Sequence, residues 1–133
     1  MKKLMLFLAL FIFLGINANA QNVTLTVCEY YGTYGPVGVG TSFTTGYLTV
    51  VAKSNLSMYY DKVFIQFDRL GNDGNYNFYK KFSFTFPDGY KTVYFSKSGN
   101  NDMSFDHPGY YNVFLLDSYG NTISYTTVRI TGR

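Results

Sequence analysis

The stretch Gly109–Ile130, "GYYNVFLLDSYGNTISYTTVRI", alternates apolar and polar residues on either side of a turn. Tyr111, Val113 and Leu115 recur at every second position, the period of a strand that buries one face. Phe114 and Leu116 fill alternate positions between them, so this strand is apolar on both faces, as a strand in the middle of a sheet should be. "DSYGN", Asp117–Asn121, supplies residues that favour a tight reversal, and a β-branched run follows it. The unit reads as a β-hairpin.

The same grammar extends upstream. Two-residue alternation, Tyr, Phe, Val and Thr enrichment and Gly/Asn/Asp punctuation recur, and no convincing apolar stretch at helical spacing competes with them. Strands are expected over about 23–30, 44–53, 59–69, 76–86, 90–98, 110–117 and 122–130. Val23, Leu25 and Val27 face inward in the first, opposite Thr24, Thr26 and Cys28; Leu48, Val50 and Ala52 do so in the second, and Val63, Ile65 and Phe67 in the third. In "YNFYKKFSFTF" one face carries Tyr76, Phe78, Phe82, Phe84 and Phe86, interrupted by Lys80. A lysine there marks either an edge strand or a bulge at Lys80-Lys81. "PDG", Pro87–Gly89, turns the chain into the fifth strand, with Val93 and Phe95 inward. The expected fold is all-β, a single antiparallel two-sheet sandwich of about seven strands.

The N-terminus has a different character. Lys2 and Lys3 precede an unbroken apolar run, Leu4–Leu14, and a small-residue end at Ala18-Asn19-Ala20, the pattern of a secretory signal cleaved before Gln21. The run is short for a membrane span, and no second apolar stretch follows. Residues 1–20 are therefore read as a signal peptide and 21–133 as one domain, secreted or periplasmic. The chain's formal charge of +3 falls to +1 without Lys2 and Lys3. A near-neutral surface gives no electrostatic reason to expect nucleic acid or an anionic membrane as partner. A single cysteine, Cys28, cannot form an internal disulfide.

The segment "DHPGYYNVFLLDSYGNTISYTTVRI", Asp106–Ile130, resembles the closing hairpin of immunoglobulin-like domains, including the PKD-type and fibronectin-III-like modules of secreted bacterial proteins. In that pattern a glycine precedes the tyrosine that opens the penultimate strand, and a Gly-Asn turn begins the last one. Here those positions are Gly109, Tyr111, Gly120 and Asn121. The resemblance implies an immunoglobulin-like sandwich, with Tyr111 as the corner tyrosine whose hydroxyl bonds a nearby backbone group. The chain departs from the pattern in having no Trp and no cysteine pair.

Reactive chemistry has few candidates. His107 is the only histidine and sits in "DHPG", where Pro108 fixes an extended or turn conformation; it reads as a solvated turn residue rather than a catalytic base. Glu29 beside Cys28 would raise rather than lower a thiol pKa, so Cys28 reads as a packed strand residue. One His and one Cys cannot supply a zinc set, and "GNDGN" places Arg69 and Gly71 where a calcium loop needs oxygen ligands. No metal, no cofactor and no enzymatic activity are expected.

What remains is the aromatic load, fourteen Tyr and thirteen Phe, three of the latter in the signal segment. Most serve as strand and core residues. In "CEYYGTYGPVGVG", Cys28–Gly40, four glycines and Pro36 break regular pairing around Tyr30, Tyr31 and Tyr34. Either the first strand kinks and switches sheets there, or a loop presents tyrosines. Tyr30 is expected to end the strand and pack, with Tyr31 and Tyr34 as ligand-contacting residues. The expected function is a non-catalytic module that binds a protein or glycan partner outside the cytoplasm. The alternatives are a structural subunit that self-associates through sheet edges and a small enzyme inhibitor.

Overall fold

The computed structural model describes residues 22–44, 46–96, 103–105 and 107–132. The expected signal peptide and the loop Ser98–Asp102 lie outside them. The described residues form strands and turns, with no helix among them.

Seven long strands account for the seven alternating runs. They are β1 (Val23–Cys28), β6 (Thr49–Met58), β7 (Lys62–Leu70), β8 (Tyr76–Thr85), β9 (Tyr90–Phe95), β11 (Gly109–Leu116) and β12 (Thr122–Thr131). Five short ones complete the set: β2 (Tyr30–Gly32), β3 (Gly35–Val37), β4 (Ser42–Thr44), β5 (Gly46–Tyr47) and β10 (Ser104–Phe105). One main sheet has the order β1-β6-β9 and the other β4-β12-β11-β7-β8, while β2 pairs β3 and β10 pairs β5 in two small ribbons. The doubly apolar β11 lies in the middle of the five-stranded sheet, its inward Tyr111, Val113 and Leu115 buried and its outward Phe114 half-buried beside the exposed Tyr125.

This corrects the expectation of a single seven-stranded antiparallel sandwich. There are twelve strands among the described residues, and β4 runs parallel to β12. The short strands hold two or three residues each, too few to show a period of two. The run expected over 44–53 is divided for a local reason: Gly46 takes φ +150°, and Ser42–Thr44 pairs with the opposite main sheet from the one that holds Thr49–Met58.

The inner faces of the two main sheets meet in one apolar cluster. Leu25, Val27, Val50, Ala52, Val93 and Phe95 come from the three-stranded sheet; Val63, Ile65, Phe67, Phe82, Tyr111, Val113, Leu115, Val128 and Ile130 come from the five-stranded one. Phe105, from β10, meets Phe67 and Tyr111 edge-on, each with ring centroids 4.9 Å apart. Burying each such side chain contributes about 1.5–3 kcal/mol, which makes this layer the main source of stability.

The face assigned to β8 needs a second correction. Phe67 pairs Lys80 and Asp68 pairs Phe78, which leaves Tyr79 as an extra residue in a bulge. Alternation is reset there, so Phe82 and Phe86 are buried while Phe78 is 65% exposed and Tyr76 also faces solvent. Tyr79 turns inward instead, 5.2 Å from the Tyr111 ring. Lys80 reaches back to donate to the Ser104 carbonyl at 2.9 Å. β8 is an edge strand and also bulged, so both readings of Lys80 hold, with the bulge one residue earlier than Lys80-Lys81.

Candidate functional site

The chain leaves the three-stranded sheet at Cys28, and the reason is local. Glu29 N–H donates to the Val37 carbonyl at 3.0 Å and Gly40 N–H to the Val27 carbonyl at 3.2 Å, so residues between them form a side hairpin and return to where they left. β2 and β3 are its arms, with Gly32 opposite Gly35 and Tyr31 opposite Pro36. Gly35 takes φ +116° and Gly38 φ +69°, conformations that L side chains rarely adopt. Beyond Gly40 the chain crosses to the other main sheet, where Arg129 N–H donates to the Thr41 carbonyl at 2.8 Å. The segment therefore does both things its sequence allowed: it switches sheets and it presents tyrosines.

The hairpin folds over the outer face of the β1-β6-β9 sheet. Tyr31 stacks on Tyr94 of β9 with centroids 4.4 Å apart and planes 9° from parallel. Cys28, on the outward side of β1, is 0% exposed, and Val51 of β6 is nearly as buried. Burial pushes the Cys28 thiol pKa up, an effect partly offset by a hydrogen bond from the Val37 backbone. Tyr34, at the hairpin tip, is 104% exposed. Tyr30 differs from expectation: it is 56% exposed, because the chain has already left the sheet where the packed end of the strand was expected.

Between hairpin and sheet lies an open groove of about 760 Å³. Strand register arranges its floor in rows. Thr26 pairs Val51, which pairs Tyr94; Thr24 pairs Lys53, which pairs Thr92. The first row ends at the tyrosine that supports the hairpin, and the second places Lys53 on the middle strand between two threonines. Asn55 closes the end of the groove, its side-chain oxygen accepting from Asn22 N–H at 2.8 Å. Tyr31 and Tyr34 both line the groove on the hairpin side.

Sequence reasoning singled out Tyr31 and Tyr34 and missed Lys53, Thr24, Thr26, Thr92 and Tyr94. The outward positions of β1 and β9 were legible as alternation, but nothing in the sequence showed that the hairpin covers that face and not the other.

The remaining singled-out residues lie elsewhere. Tyr111 is fully buried and donates to the His107 carbonyl at 2.6 Å. Gly109 opens β11 with φ +146°, and Gly120 takes φ +87° in the turn before β12. Asn121 N–H donates to Asp117 Oδ1 at 2.9 Å, and the hydrogen bonds of this turn hold the Asp117 carboxyl below its ordinary pKa. His107 is exposed, with its ring edge-on to Tyr79. Among the described residues no three His, Cys, Asp or Glu side chains gather as a metal site. No helix long and apolar enough to cross a membrane occurs among the described residues.

No family model matches the chain, and a comparison with characterised proteins likewise finds no match.

Proposed function

We propose that this chain is an exported, non-catalytic, immunoglobulin-like module that binds a protein or glycan partner outside the cytoplasm through the groove beneath the β2-β3 hairpin. The observation that carries the reading is the pairing of a pinned tyrosine with a wholly exposed one. Tyr31 is oriented by Tyr94, and Tyr34 offers its ring to solvent at the rim of a concave surface. An aromatic ring with a hydroxyl tip suits both sugar stacking and protein contact.

The immunoglobulin-like assignment is supported by topology. Three strands oppose five, and the chain switches between the sheets early through a short strand parallel to the last one. The Tyr111 hydroxyl bonds back to a backbone carbonyl four residues upstream, as in a tyrosine corner. Export rests on the Lys2-Lys3, Leu4–Leu14 and Ala18-Asn19-Ala20 pattern. The non-catalytic reading rests on a buried, raised-pKa thiol and on an Asp117 carboxylate engaged in its own turn.

The test combines export with capture. Mass spectrometry of chain recovered outside the cytoplasm should give an N-terminus at Gln21. Tyr34→Ala should keep the melting temperature and weaken capture of extracellular material, whereas unchanged capture would remove the groove from the reading.

A further inference from the structure

We propose that the groove takes a short acidic oligosaccharide, held by stacking at Tyr34 and by a carboxylate contact at Lys53. This rests on the groove reading above and narrows its partner to one chemical class. The argument starts from the floor. Thr24, Lys53 and Thr92 stand abreast on three neighbouring strands, their backbones separated by the inter-strand repeat of about 4.8 Å, and the longer Lys53 side chain outreaches the two threonines. A floor that offers two hydroxyls and one ammonium from adjacent strands suits the many hydroxyls of linked sugar rings.

Asn55, two residues along β6 from Lys53, adds a polar group beside the row. Its carboxamide oxygen is already engaged by Asn22 N–H, which fixes the group and directs its capacity for new bonds to the Nδ2 donors. Tyr34 supplies the flat apolar surface that the C–H face of a pyranose needs. Among the described residues Lys53 is the lone charged side chain lining the groove, and it lies on its middle strand. A protein partner would fit such a floor poorly, because the centres of protein interfaces are depleted in lysine. A sugar carboxylate would fit it well, since no acidic side chain among the described residues lines the groove to compete for the ammonium.

The experiment is calorimetric titration of the chain with tetragalacturonate and, in parallel, with the uncharged cellotetraose, at low and at physiological salt. The expected result is saturable binding of the acidic tetramer, at least tenfold tighter than the neutral one and weakened by salt. Tyr34→Ala should weaken it about tenfold or more. Lys53→Met, which keeps the stem, should erase the preference for the acidic sugar, and neither variant should shift the melting temperature. Equal affinity for both tetramers, or a preference that survives Lys53→Met, overturns the acidic assignment. Binding of neither tetramer overturns the oligosaccharide proposal. In that case extracellular capture that still depends on Tyr34 leaves the groove reading standing, and capture indifferent to Tyr34 removes both.

Discussion

The Tyr111 hydroxyl donates to the His107 carbonyl at 2.6 Å, closing the bend in front of β11 onto the strand that follows it. The ring of Tyr111 is meanwhile part of the core, edge-on to Phe105 and Tyr79. One side chain thus fills the layer between the sheets and ties down the approach to their central strand. Tyr111→Phe keeps the ring and deletes the bond. The expected cost is about 0.5–1.5 kcal/mol, or more if the His107 carbonyl finds no water. Chemical denaturation should show a lower midpoint with an unchanged slope, and groove binding should be unaffected. Lost binding at wild-type stability would contradict the structural role.

The same residue makes stability depend on alkaline pH. Burial, with a further contribution from Tyr79, pushes the Tyr111 pKa up to about 12 from an ordinary value of 10. Between those values the unfolded chain loses the phenolic proton and the folded chain keeps it, so unfolding is favoured as pH rises. The stabilisation is fully present below pH 10 and is lost on the way to about 12. Denaturation midpoints measured from pH 8 upward should show the advantage of wild type over Tyr111→Phe shrinking above about pH 10. A constant difference across that range would mean that Tyr111 titrates normally in the fold.

The long strands were legible because each buries one face over six or more residues, enough for Val63, Ile65 and Phe67 or Tyr111, Val113 and Leu115 to stand out. The short strands were not, since the partners of Ser42–Thr44 and Tyr30–Gly32 are fixed by backbone hydrogen bonds that a residue makes whatever its side chain. Tyr79 shows a subtler limit. An inserted residue leaves the composition of a strand unchanged while reversing which half of its alternation is buried, so Phe78 was assigned to the core and is exposed. Tyr31 and Tyr34 could be singled out because glycines isolate them. Lys53 could not, because its importance comes from what the hairpin encloses.

Cys28 tests that enclosure directly. With no exposure and a raised pKa, its thiol should react with a disulfide reagent in native buffer only through opening of the hairpin. Labelling should be slow in native buffer, rapid in denaturant, and melting should be indifferent to added reductant. Gly38→Ala should accelerate it, because Gly38 holds φ +69° where the hairpin returns to the sheet. A non-glycine residue in that conformation costs about 1–2 kcal/mol, and 1.4 kcal/mol of easier opening is about a tenfold faster reaction. Fast native labelling of the wild type would mean that the hairpin does not close over the strand.

Tyr94 offers the sharpest separation between packing and recognition, because it supports the groove without lining it. Its ring is 53% exposed yet stacked on Tyr31, so the pair should couple by about 0.5–1 kcal/mol, the lower part of the range for aromatic pairs. In a double-mutant cycle, Tyr31→Ala and Tyr94→Ala should each cost that interaction once, and the double variant should cost less than their sum. Tyr94→Ala should also weaken oligosaccharide binding by releasing the hairpin that carries Tyr31 and Tyr34. Tyr94→Phe keeps the stacking ring and should restore both stability and affinity. If Tyr94→Ala leaves binding intact while lowering stability, the hairpin holds its position without the stack. If Tyr94→Phe fails to rescue, the Tyr94 hydroxyl itself touches the ligand, and the groove extends past Tyr31 along β9.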